Sequence, residues 1–152
     1  MTTQQTIDKF DGKYRFLSNF LYCRIEYDDI IFPTAEHAFQ AAKTISREHR
    51  YQIARASTPG YAKRIGRKVV LRPDWEEVKL DVMEEILRIK FSHPNLKRLL
   101  LATGDAELIE GNTWNDTFWG VSNGVGENNL GKLLMKIRKE YNEVQRASSD
   151  RK

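Results

Sequence analysis

The segment Pro33-Thr34-Ala35-Glu36-His37-Ala38-Phe39-Gln40-Ala41-Ala42-Lys43 constrains this chain more than any other. Thr34 can cap a helix that follows Pro33. On that helix Ala38, Ala41, Ala42 and Ile45 take the three-and-four spacing of a buried stripe. Side chains this small let a neighbouring backbone come close. Glu36, Phe39, Gln40 and Lys43 share the other face. A carboxylate, an aromatic ring, an amide and an amine are thus lined up on one rigid element, as the wall of a polar pocket requires. The plainer alternative is a solvated face with a weak surface ion pair.

A chain of 152 residues makes about one domain with a real core, expected over residues 10–141 of a single domain spanning 1–152. With 40% hydrophobic and 30% charged residues, the composition is that of a globular protein rather than a disordered one. No apolar run approaches the roughly 18 residues of a membrane span. The N-terminus lacks a basic region followed by an apolar core, so no secretory signal is expected. Cys23 is the single cysteine, which excludes an intramolecular disulfide and a Cys/His zinc site and points to the cytoplasm. His37, His49 and His93 have no metal-ligand spacing, so no metal and no cofactor is expected. A net charge of +4 with a pI near 9.2 suits an anionic ligand. The lysines and arginines read as spread along the chain, which argues against a general nucleic-acid binder.

Along the chain, residues 1–8 and 142–152 are expected to be loose. Tyr22–Tyr27 and Ile30–Phe32 read as strands joined at Asp28-Asp29, with Pro33 ending the second. Helices are expected over Arg47–Ala56 capped by Ser46, from Thr58-Pro59 through Arg67, and from Pro73-Asp74 onward. The last of these takes Asp74 as its cap and Glu77 as the capping-box partner. Its apolar stripe is Trp75, Val78, Val82, Met83, Ile86, Leu87 and Phe91. Lys79 lies within that stripe, either snorkelling at its edge or reaching a phosphate. A short helix through Leu96, Leu99 and Leu100 ends near Gly104.

Residues 104–128 concentrate glycine and asparagine around Trp114, Phe118 and Trp119, the composition of a binding loop. Asn115-Asp116 with Trp119-Gly120 reads either as an Asx-type turn before a core tryptophan or as a carboxylate beside an aromatic platform. Gly124-Val125-Gly126 lacks the third glycine and the βαβ setting of a dinucleotide fingerprint. Amides at the start of the last helix could still hold an anion. That helix carries Leu130, Leu133, Leu134, Ile137 and Tyr141 on one face, with Lys132, Lys136, Arg138 and Lys139 off it.

Taken in order, these segments resemble the NADAR or YbiA-like family of N-glycosidases from about Tyr14 to Arg138. The motifs are Phe16-Leu17-Ser18-Asn19-Phe20; Pro33-Thr34 with Glu36-His37, Phe39-Gln40-Ala41 and Lys43; Trp75, Val78-Lys79, Val82-Met83, Leu87 and Lys90-Phe91. They continue through Thr103-Gly104, Leu108, Glu110, Asp116, Trp119-Gly120, Gly126, Asn128 and Leu130-Gly131 to Ile137-Arg138. The resemblance implies an α+β, predominantly helical fold with a small antiparallel strand element. It also implies hydrolysis of a ribose C1′–nitrogen bond. The substrate is then a ribosylamino-pyrimidine phosphate of riboflavin synthesis, or ADP-ribosylated guanine in nucleic acid. Glu36, Lys43 and Asp116 are the expected catalytic residues. Phe20 and Trp119 would stack on the base, Gly120 would also contact the substrate, Asn19 would bind sugar or base edges, and Arg15 and Lys79 would meet phosphate. The competing reading is a module that binds ADP-ribose or a nucleotide without cleaving it. No membrane partner is expected, and no oligomeric state follows from the sequence.

Overall fold

The computed structural model describes residues 4–150, so the looseness expected of residues 1–3 and 151–152 lies outside the described residues. In chain order the elements are β1 (Thr6–Ile7), a 3₁₀ helix (Gly12–Leu17), β2 (Tyr22–Tyr27), β3 (Ile30–Thr34), α1 (Ala35–Ala42) and α2 (Arg47–Ala54). There follow α3 (Pro59–Gly66), α4 (Trp75–Lys90), α5 (Pro94–Ala102), β4 (Glu107–Leu108), β5 (Gly111–Asn112), β6 (Val121–Ser122) and α6 (Asn129–Asp150). The fold is α+β and predominantly helical. Its residues fall into two compact units, one of Asn19–Ser92 and one of the residues before and after that segment.

In the Asn19–Ser92 unit, β2 and β3 form an antiparallel hairpin with Tyr27 opposite Ile30. Both turn residues, Asp28 and Asp29, have positive φ, the backbone that a two-residue hairpin loop demands. Asp28 is fixed there by Arg47 and by Arg50. The second strand runs through Pro33 to Thr34, past its expected end. Thr34 then caps α1, accepting a hydrogen bond from the His37 amide at 3.0 Å.

Helix α1 is the centre of this unit and packs against α2, α3 and α4. All eight of its residues are buried, which the alanines make possible by letting three helices approach. Ile45 departs from the expected stripe and is 74% exposed. The helix stops at Ala42, so the helical period no longer applies there. The core is completed by Ile25 and Phe32 from the hairpin and by Val82, Met83, Ile86, Leu87 and Phe91. Asp74 does not cap α4 through its side chain. Arg72 takes that carboxylate instead, with Nε–Oδ1 at 2.6 Å and Nη2–Oδ2 at 3.1 Å.

In the other unit, β1 pairs in parallel with β4, Thr6 opposite Glu107 and Ile7 opposite Leu108. Ile7 is buried where this pairing is made. Strands β5 and β6 also pair in parallel, so the 104–128 segment contains three short strands where a loop was expected. Helix α5 ends with Gly104 at φ 63, as a left-handed terminus favours. Helix α6 continues to Asp150. Leu130, Leu134 and Ile137 are buried, as expected. Arg138 is buried too, against the expectation of a solvated cation. Its Nη1 donates to Thr103 Oγ1 at 2.9 Å, and burial holds its pKa down while Asp105 opposes that shift.

Candidate active site

The chemistry of the Asn19–Ser92 unit is gathered on α1. Glu36 is buried, and its backbone amide donates to Asn19 O at 3.0 Å. One turn on, Gln40 Nε2 donates to Glu36 Oε1 at 2.8 Å. The other end of that amide, Gln40 Oε1, is buried with no hydrogen-bond partner. Gly66 of α3 stands against it, and a Cβ at this position would overlap the amide. Asn19 repeats the pattern. Its Nδ2 reaches Met83 Sδ at 3.6 Å, while Oδ1 is buried and receives no hydrogen bond. Two unfilled buried acceptors thus accompany the carboxylate, and such groups call for an explanation.

Lys43 caps the end of α1 and is half-buried. Burial lowers its pKa from 10.5, Glu36 opposes the shift, and Lys63 and Arg67 add to it. Glu36 and Lys43 are therefore electrostatic neighbours, as their shared face predicts. Phe39 is buried, with its ring 5.1 Å from that of Trp75. His37 is structural: its ring bonds Thr34 Oγ1 at 2.7 Å and Ala56 O at 3.0 Å. Lys79 pairs with Glu76 at 2.6 Å, so its ammonium already has an anion. Phe20 is half-buried.

The remaining expected residues belong to the other unit. Arg15 is exposed on the 3₁₀ helix. Asp116 Oδ1 accepts from the Phe118 amide at 3.2 Å and the Trp119 amide at 2.9 Å, which is the geometry of an Asx turn. Asn112 locks the same residue from both sides, accepting from Asp116 N at 3.1 Å and donating to Asp116 O at 2.9 Å. Trp119 is half-buried and meets Phe118 edge to face at 4.8 Å. Gly120 packs against Glu110 and Asn112 so closely that a Cβ would overlap both.

The anion site expected at the start of α6 is not available. The amides of Glu127, Asn128, Asn129 and Leu130 donate to the carbonyls of Thr117, Gly120, Phe118 and Trp119. A loop that folds back on the helix end has taken the donors a ligand would need.

The family follows from comparison. Residues 7–142 match the NADAR domain. The chain belongs to the NADAR family. It is 44% identical over 144 residues to N-glycosidase YbiA of Escherichia coli K12, covering 90% of this chain and 89% of that protein. It is 37% identical over 137 residues to a riboflavin biosynthesis protein of Vibrio vulnificus, covering 88% of this chain and 37% of that one. The NMR structure of E. coli YbiA matches with a TM-score of 0.82 and 41% identity, over 95% of this chain and 89% of that chain. These named relatives of the NADAR chain include hydrolases of N-glycosyl bonds. No helix among the described residues is long and apolar enough to cross a membrane.

Sequence reasoning passed over Gln40 as a partner of Glu36, the need for glycine at 66, and the cations Lys63 and Arg67. A signal for the cations was present. Residues 47–72 carry eight Lys and Arg against one acid, Glu48, so the basic charge is not evenly spread.

Proposed function

We propose that this chain hydrolyses the bond between a ribose C1′ and a nitrogen, with Glu36 as the carboxylate at the reacting carbon. An N-glycosidase, and hence a hydrolase, is what membership of this family makes it. The substrate is a phosphorylated N-riboside: a ribosylamino-pyrimidine phosphate of riboflavin synthesis, or ADP-ribosylated guanine. The name of the Vibrio relative favours the first.

The supporting observation is Glu36 itself. A carboxylate buried on a rigid helix, steadied by a neutral amide and set beside an ammonium, is an arrangement enzymes use to meet developing positive charge. As the C1′–N bond breaks, both electrons leave with nitrogen and the ribose ring becomes cationic. Glu36 stabilises that cation and takes a proton from the water that adds to C1′. An acid returns a proton to the departing nitrogen. We assign that second carboxyl role to Asp116, acting through Oδ2 because Oδ1 serves the turn. The buried acceptors Asn19 Oδ1 and Gln40 Oε1 suit ribose hydroxyls, which arrive as donors. Lys43 is either a clamp on the substrate's anionic group or an amine able to condense with an opened ribose. Its lowered pKa raises the share of free amine for that condensation. Phe20 and Trp119 are each assigned a stacking role on the base, Gly120 a backbone contact with the substrate, and Arg15 a phosphate contact. The reaction uses water alone and calls for no cofactor.

The test is to incubate the protein separately with a ribosylamino-pyrimidine phosphate and with guanine-ADP-ribosylated DNA. Released base, or released ADP-ribose, supports the reading and names the substrate. Tight binding of either compound without release would instead make the chain a binding module.

A further inference from the structure

Helix α3 carries Lys63, Gly66 and Arg67 on one face, three and four residues apart. Gly66 is the point where that face meets α1, against the Gln40 amide. On α1, Gln40 lies between Glu36 and Lys43 on a common face. The close approach at Gly66 therefore sets Lys63 and Arg67 alongside Lys43. A backbone bond fixes the same junction from the other side, Arg72 N donating to Lys43 O at 2.8 Å.

Lys43 thus has Lys63 and Arg67 as like-charged neighbours and Glu36 as an opposing carboxylate among the described residues. Of the other cations of this stretch, Arg47 and Arg50 share Asp28 and Arg72 holds Asp74, while Arg55, Arg64 and Lys68 make no ion pair among the described residues. Lys63 and Arg67 make no ion pair among the described residues, and no Asp or Glu occurs between Glu48 and Asp74. From Arg67, exposed, through the half-buried Lys63 and Lys43, burial increases toward the buried Glu36. Like charges brought together repel unless an anion neutralises them. Lys79, the phosphate ligand the sequence suggested, already has Glu76.

We propose that Lys63 and Arg67, together with Lys43, form the subsite that holds the phosphate on the substrate's ribose. The assignment rests on the N-glycosidase reading, since it places the ribose at Glu36. Arg67 supplies a planar fork for two phosphate oxygens, and the lysines supply point charges. Arg64 of α3 and Lys68 just beyond it line a different cleft, shared with His49 and Gln52, and are not part of this subsite.

Binding can be measured without cleavage. Ribose 5-phosphate is titrated into isotope-labelled wild type, followed by NMR, and into variants by calorimetry. Amide shifts should concentrate on α3 and the end of α1. Lys63→Ala with Arg67→Ala should weaken binding at least tenfold, Arg67→Lys should recover part of it, and Arg64→Ala with Lys68→Ala should leave it within twofold. ADP-ribose, run in parallel, distinguishes a terminal phosphate from a diphosphate as the preferred group. Shifts located elsewhere in the wild type would overturn the assignment. So would an unchanged Kd in the Lys63/Arg67 pair, or an equal loss in the Arg64/Lys68 pair. Phosphate binding at α3 in a protein that cleaves neither substrate would refute the activity and leave the subsite standing. Cleavage with a KM indifferent to Lys63 and Arg67 would do the reverse.

Discussion

Gln40 donates to Glu36 across one turn of α1, with 2.8 Å between Nε2 and Oε1 and both residues buried. A neutral donor steadies the carboxylate while leaving its charge unneutralised. Gly66 permits the arrangement by leaving room for the amide. The packing of α1 on α3 thus bears directly on the carboxylate proposed to react.

Gln40→Met should expose that coupling. It removes a hydrogen bond to a charged group, which contributes about 1.5–3 kcal/mol, and it frees Glu36 to rotate. A lower melting temperature is expected together with a fall in kcat that exceeds any change in KM. Gly66→Ala should mimic it by displacing the amide, with an overpacking cost of about 1–3 kcal/mol. A Gln40→Met protein with wild-type kcat would show that Glu36 is positioned without it.

Lys90 is fully buried, and desolvation brings its pKa from 10.5 to about 8, with Cys23 opposing. The unfolded chain keeps this proton up to its ordinary pKa, so between about 8 and 10.5 it binds more protons than the native state. Stability contributed through Lys90 therefore rises with pH across that window, by about 3 kcal/mol in full, and the burial cost is complete below it. The stability of Lys90→Met relative to wild type should fall as pH goes from 7 to 10. Urea unfolding at the two pH values measures it. A difference that does not move with pH would mean that Lys90 titrates normally.

Asp116 holds a turn in the structure, and the acid role proposed for it is separable from that duty. An asparagine keeps the Oδ1 acceptor that receives the Phe118 and Trp119 amides, so Asp116→Asn should hold its melting temperature while losing turnover. Asp116→Ala should lose both, with about 1 kcal/mol or more of stability gone. Undiminished turnover in Asp116→Asn would confine the residue to its turn.

Much of this was written in local pattern. The Thr34 cap, the alanines of α1, the Asp28-Asp29 turn and the stripe of α4 are short-range features, and the structure realises each. The electrostatic proximity of Glu36 to Lys43 follows from helical spacing. What escaped depends on distant partners. Arg72 captures Asp74 in place of a cap. The 117–120 carbonyls take the amides before α6, and Thr103 receives Arg138. Two-residue strands such as β1 and β4 carry no period to detect. The role of Gly66 becomes visible only when α3 is placed against Gln40.

Turnover by Glu36→Gln is the most direct measure of the central claim. The substitution is nearly isosteric and preserves an acceptor for Gln40, so the fold and the melting temperature should persist. General acid–base work contributes roughly 10²–10⁴-fold, and a loss of that size in single-turnover base release is the predicted result. A well-folded Glu36→Gln protein that releases base at the wild-type rate would contradict it.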